Sequence, residues 1–139
     1  MVILIAGTKG KGKTKHLLNK VNSEVKEANG NIVFLDDSMQ HMHELNNKVR
    51  LINMHDYPIS NADEFFGFLC GIISQDNDLE QMYLDHFLNI SKLNDEDIAK
   101  TIEKIVKMSV KFRIDFIISI SKAEADLPES IRQFVSISL

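Results

Sequence analysis

The chain has 139 residues, and 16 lysines and arginines against 20 aspartates and glutamates leave a formal net charge of −4 at pH 7. With 44% hydrophobic and 26% charged residues, six glycines and two prolines, the composition is that of one soluble globular domain and excludes disordered, collagenous and mucin-like chains. A net acidic chain does not coat nucleic acid, so nucleic acid is not an expected partner. Cys70 is the single cysteine; no intramolecular disulfide can form, and a reducing, cytoplasmic setting is expected. No apolar run approaches the length of a membrane span, and the opening run of six residues lacks a basic leader, so neither a membrane segment nor a signal peptide is expected.

In chain order, residues 2–6 form a continuous apolar run that ends in a glycine-rich loop, the pattern of a buried parallel strand entering a turn. A helix is predicted over 13–28, with Leu17, Leu18, Val21, Val25 and Ala28 on one face and Asn29-Gly30 closing it. Strands follow at 31–36 and 49–54, while 39–45, with His41 and His43, reads as either a helical turn or an ordered loop. Asn61 and Glu64 form a capping-box variant that opens a helix over 62–74, whose Phe65, Phe66, Leu69, Ile72 and Ile73 make an apolar face. A strand over 79–87 comes next. Asn94 then caps a helix with Asp95, Glu96 and Asp97 in its first turn, and Ile98, Ile102, Ile105, Ser109 and Phe112 form its buried stripe. A strand over 115–120, a short helix over 126–133 with Pro128 in its first turn and a last strand over 134–138 complete the chain.

This alternation predicts a single α/β domain, residues 1–139, with a mostly parallel sheet and helices on both faces joined by right-handed crossovers. Ligands of such sheets bind at the carboxyl ends of the strands, where the glycine loop lies. That loop, Gly7-Thr8-Lys9-Gly10-Lys11-Gly12-Lys13-Thr14, matches the Walker A pattern G-x-x-x-x-G-K-[ST] without a mismatch, between a strand and a helix. Glycines let backbone N–H groups converge on a phosphate, and the helix start adds its positive dipole end. Residues Gly7 to Thr14, with Lys15 after them, are therefore the expected nucleotide-binding set. Lys13 is expected to stand exposed in the loop and to reach the β- and γ-phosphates, and Thr14 to ligate Mg²⁺.

A phosphate loop needs a carboxylate at the end of another strand to hold the metal. Two candidates exist: Asp85 after Met82-Tyr83-Leu84, which is preferred, and Asp36 after Ile32-Val33-Phe34-Leu35. Lys13, Asp85 and His86 form the expected catalytic set. His86 occupies the place where many phosphate-loop ATPases carry a water-orienting glutamate; a neutral imidazole can accept a hydrogen bond from water, but a strand-end histidine is more often merely exposed or satisfied, so hydrolysis is expected to be slow. Ser119 and Ser121 are candidate contacts to the γ-phosphate. Ser121-Lys122-Ala123-Glu124 echoes the guanine-reading motif of GTPases, but Glu is a methylene too long for the usual pairing. His41, His43 and His55, with no cysteines beside them, make a poor zinc set.

The loop, the two strand-end aspartates and the segment Asp63-Glu64-Phe65-Phe66-Gly67-Phe68-Leu69-Cys70-Gly71-Ile72-Ile73 together resemble a family of short bacterial P-loop proteins, often labelled automatically as ATP-binding or twitching-motility proteins. Pilus-retraction ATPases share only the phosphate loop with it. The resemblance runs nearly end to end and implies a RecA-like P-loop NTPase fold that binds ATP with Mg²⁺ through Lys13, Thr14 and Asp85. The expected function is a Mg-ATP-dependent switch with slow or partner-activated hydrolysis, its partners ATP or ADP and either another protein or a second copy of the chain. A small nucleoside-type kinase uses the same loop but usually closes an arginine-rich lid, and Arg50, Arg113 and Arg132 are widely spread. An adaptor that keeps the loop only as a fold element is the third reading.

Overall fold

The computed structural model describes residues 1–139, and its strands lie in one six-stranded, wholly parallel sheet. The strands are β1 (Val2–Ala6), β2 (Asn31–Asp36), β3 (Val49–Asn53), β4 (Leu79–Leu84), β5 (Asp115–Ile120) and β6 (Val135–Ser138), in the spatial order β3-β2-β4-β5-β1-β6. The helices are α1 (Lys13–Glu24), α2 (Ala62–Ser74), α3 (Phe87–Ser91) and α4 (Ile98–Phe112). No helix is long and apolar enough to cross a membrane.

Side chains alternate across a strand, so each strand feeds two cores. Ile5, Ile32, Phe34, Tyr83 and Ile117 face α1, which covers them with Leu17, Leu18 and Val21. Val2, Leu4, Val33, Leu35, Met82, Leu84, Phe116 and Ile118 face the other way, toward Phe65, Leu69 and Ile73 of α2 and Ile98, Ile102 and Ile105 of α4. Each fully buried aliphatic or aromatic side chain contributes about 1.5–3 kcal/mol of transfer free energy. Two apolar faces explain why the central strands read as continuous hydrophobic runs rather than as alternating ones.

Several element ends differ from the sequence reading. Helix α1 stops at Glu24, before the expected residue 28, and the turns after it bring the chain to β2. Gly30 does not cap that helix; a Cβ there would collide with the Asp78 carbonyl at the start of β4, so the glycine serves a close approach of backbones. Residues 39–45 form turns. Strand β4 ends at Leu84, and Phe87, placed in that strand by sequence, starts the short α3 and is buried against Phe65. Asn94 stands at the N-cap with the three carboxylates after it, but its side chain makes no capping bond, the first turn (Asp95–Asp97) is 3-10, and α4 begins at Ile98. The expected helix over 126–133 is two 3-10 turns, Glu124–Asp126 and Glu129–Phe134, with Pro128 between them. Phe112 is 45% exposed at the end of α4, under the Lys111 ammonium, rather than part of the buried stripe. Asn61 caps α2 as read, its Oδ1 accepting from the Glu64 N–H at 2.9 Å, while Glu64 Oε1 accepts from Ser60 instead of from Asn61.

Helix α4 ends on Arg113, a non-glycine residue with φ 57° and ψ 48° whose N–H bonds to the Ser109 carbonyl. The left-handed region costs an L-residue with a Cβ about 1–2 kcal/mol, and glycine is the usual occupant of this position. Arg113→Gly is therefore expected to stabilise the protein by about 1 kcal/mol, read as a higher urea midpoint at unchanged m-value. A lower midpoint would show that the Arg113 side chain stabilises the fold by more than its backbone strain costs.

Candidate functional site

The glycine-loop residues Gly7 to Thr14, the ends of β2, β4 and β5, and the start of α1 meet at the carboxyl edge of the sheet. Strand alternation brings this about. Asp36 continues the face of Ile32 and Phe34, Asp85 that of Tyr83, and Ser119 that of Ile117, which is the face covered by α1. The register pairs Leu35 with Leu84 and Leu84 with Ile118, so Asp36, Asp85 and Ser119 fall side by side one residue further on. Lys13 and Thr14, the first residues of α1, lie above them.

Gly10 (φ 87°) and Gly12 (φ 93°) occupy the left-handed region, and Gly12 is the residue from which α1 starts. These two turns wrap the loop around Lys13. Its Nζ donates to the Thr8 carbonyl at 3.1 Å, and the residue is 7% exposed, not the open loop lysine that the sequence reading expected. Burial lowers the Lys13 pKa, and the Asp85 charge partly offsets that.

Asp85 is fully buried and accepts three hydrogen bonds. The Thr14 hydroxyl donates to Oδ2 at 2.8 Å, and the Ser119 hydroxyl and the His86 N–H donate to Oδ1 at 2.5 and 3.0 Å. The His86 N–H lies equally near the Ser119 hydroxyl, at 2.9 Å. Ser119 therefore holds Asp85 from inside the sheet, while Ser121, exposed, lines the cleft. Sequence proposed a phosphate contact for both serines and did not find the link between Ser119 and Asp85.

Asp36 and Asp85, weighed as alternatives from sequence, are brought together. Asp36 is fully buried; its Oδ1 accepts from the Asp37 N–H at 2.7 Å and from His86 Nδ1 at 2.8 Å, and its Oδ2 has no partner. One ligand atom from each of Asp36, Asp85 and His86 lies within 4.8 Å of the others. The carboxylate oxygens and the Thr14 hydroxyl are hard donors of the kind that suits Mg²⁺, and the unpartnered Asp36 oxygen leaves acceptor capacity for a cation. None of His41, His43 or His55 belongs to this group.

His86 sits in the left-handed region (φ 53°) at the start of α3, which turns its ring back over the strand ends. Nδ1 lies 2.8 Å from Asp36, 3.5 Å from Asp37 and 3.6 Å from Asp85. The hydrogen bond to Asp36 chiefly, with the charges of the three aspartates, raises its pKa to about 9 against the opposing effect of burial. Burial, with the Asp85 charge, raises the Asp36 pKa, which the His86 bond partly offsets. At neutral pH the ring is an imidazolium with two donors, not the neutral acceptor of a water hydrogen bond that the sequence reading required of a catalytic His86.

A cleft of about 480 Å³ opens over this group, lined by Lys9, Gly10, Gly12, Lys13, Thr14, Asp37, Asp85 and His86 among others, with Leu88 its one hydrophobic residue. Of the remaining loop residues expected at the nucleotide, Gly7 is buried beneath the loop, while Thr8, Lys11 and Lys15 are exposed around it. Arg132 donates to the Ala125 and Leu127 carbonyls, in and just after the preceding 3-10 turn. Arg113 precedes β5, at the amino end of the sheet, and no arginine lines the cleft. No protein-family model matches the chain, and no curated protein matches it.

A histidine whose folded pKa is raised contributes stability that is complete below its ordinary value near 6.5 and is lost as pH rises through 9. The raised Asp36 pKa acts in the same direction. Metal-free protein should accordingly melt at a lower temperature at pH 9 than at pH 6.5, and His86→Asn, which tolerates the left-handed backbone, should flatten that slope. Equal slopes in the two proteins would show that the ring is not charged by its aspartates.

Proposed function

We propose that the chain binds Mg-ATP in the loop cleft as a P-loop NTPase of RecA-like type and works as a nucleotide-dependent switch with slow or partner-activated hydrolysis. The observation that carries the reading is the hydrogen bond from Thr14 to Asp85, which joins the end of the phosphate loop to a buried strand-end carboxylate at 2.8 Å. The loop backbone and the start of α1 offer N–H groups to the phosphates, and Lys9 and Lys13 offer positive charge. Thr14 and Asp85, with Asp36 beside them, would hold Mg²⁺, which when bound neutralises phosphate charge.

Slow hydrolysis follows from the side chain that stands after Asp85. Attack on the γ-phosphate requires water held by an acceptor, and the His86 ring is a cation whose Nδ1 is already turned to Asp36, Asp37 and Asp85. A switch needs two arrangements of one set of groups. Lys13 bonds the Thr8 carbonyl, and a phosphate oxygen is a stronger partner for an ammonium than a neutral carbonyl. Nucleotide would draw Lys13 off Thr8, and the loop with it, and so present a different surface to a protein partner or a second copy of the chain.

Calorimetric titration with ATP, with and without Mg²⁺, tests the reading. Lys13→Ala should weaken ATP binding roughly 10- to 100-fold, the worth of one charge-assisted hydrogen bond. Asp85→Asn should reduce the Mg²⁺ dependence more than Asp36→Asn does. ATP affinity unchanged in Lys13→Ala would sink the site assignment, and the reverse ranking of the aspartates would move the metal to β2. In the same samples the intact protein should release phosphate slowly; rapid turnover would overturn the switch and require a water-orienting group that His86 does not supply.

A further inference from the structure

A second cavity, of about 450 Å³, adjoins the loop cleft at the ends of β2 and β3 and shares two of its walls, Asp37 and Asn89. Its chemistry differs from that of its neighbour. The loop cleft has one hydrophobic residue among eleven, as a phosphate site should, whereas half of the eight residues around the second cavity are hydrophobic: Met54, Tyr57, Ile59 and Ile90. An apolar body with a few converging polar groups is the usual make-up of a small-molecule site.

The apolar part is built firmly. Met54 and Ile90 are buried, and the 3-10 turn Met54–Asp56 is fixed by Asn53, whose Oδ1 accepts from the His55 N–H at 3.1 Å. Tyr57 is 43% exposed, a large aromatic surface left uncovered, and its ring rests against Phe68 with centroids 5.1 Å apart. At the polar end Asn89 donates to Asp37 Oδ2 at 3.1 Å, and this pair offers acceptors and donors to a ligand's hydroxyls. The charge of Asp37 is already faced by the His86 ring at 3.5 Å, and Lys92 and His55 line the same cavity. An aromatic ring beside aliphatic side chains and a hydroxyl-binding pair call for a flat heteroaromatic molecule with hydroxyl groups.

We propose that this cavity binds a nucleoside-sized molecule of that class, its ring against Tyr57 and its hydroxyls toward Asp37 and Asn89. The site stands on its own lining. Its one tie to the Mg-ATP reading is the shared Asp37–Asn89 wall, through which two bound ligands would influence each other reciprocally.

The test is saturation-transfer NMR on the full chain with adenosine, guanosine, cytidine, uridine and thymidine, the loop cleft being filled with Mg²⁺ and a non-hydrolysable ATP analogue. At least one nucleoside should bind. Tyr57→Ala should weaken it roughly tenfold through the lost aromatic surface, with ATP-analogue affinity unchanged in the same variant. With the analogue left out of both samples, Lys13→Ala should bind the nucleoside as the wild-type chain does. Absence of binding by all five, wild-type affinity in Tyr57→Ala, or loss of the nucleoside in Lys13→Ala would each overturn the proposal, the last by placing the nucleoside in the loop cleft. If the ATP analogue fails to bind while nucleoside binding is weakened by Tyr57→Ala alone, the Mg-ATP reading falls and the second site stands.

Discussion

Two carboxylates, Asp36 and Asp85, lie fully buried on adjacent strands at one edge of the sheet, and the surrounding structure is arranged to tolerate them. A buried charge left without partners costs several kcal/mol, so each oxygen needs a donor or a cation. Thr14 comes from the first turn of α1, Ser119 from the neighbouring strand, and the backbone and ring of His86 from the turn that follows Asp85. That turn requires a left-handed residue, and the strand consequently gives way to a short helix two residues after Asp85. The loop, the helix start and α3 are thus all held by the same two aspartates.

The arrangement is not closed. One oxygen of Asp36 remains without a partner, and Lys13 is held by no stronger acceptor than a peptide carbonyl. Such groups are where a cation and an anion gain most on entry, because the protein has met their desolvation without meeting all of their bonding. In the proposed function these two loose ends are the two halves of Mg-ATP. His86, cationic among three aspartates, supports the geometry of the site and is poorly suited to hold an attacking water.

The parallel sheet was legible because its strands are apolar on both faces and its helices carry a 3.6-residue stripe. The strand, glycine turn and helix at the start of the chain were legible because an apolar run, closely spaced glycines and a helical stripe follow one another there. Spatial strand order was not legible, and with it went the site's inner wiring. Nothing local says that β2 lies against β4 or that β5 separates β4 from β1, and those neighbours decide that Asp36 meets Asp85 and that Ser119 supports it. A signal did exist, since Asp36, Asp85 and Ser119 each keep the parity of the α1-facing side chains, but it becomes usable only once the strands are ordered. The end of α1 at Glu24 was not legible, because the apolar stripe continues to Ala28 while the chain already turns toward β2.

The most direct measurement of the central claim is an NMR titration of uniformly ¹⁵N-labelled protein with Mg-ATP, following backbone amides. Phosphate in the loop should shift the amides of Gly10, Gly12, Lys13 and Thr14 first, and with them His86, whose N–H bonds to Asp85 and Ser119. Shifts confined to other parts of the chain, or none at all at saturating Mg-ATP, would contradict the account.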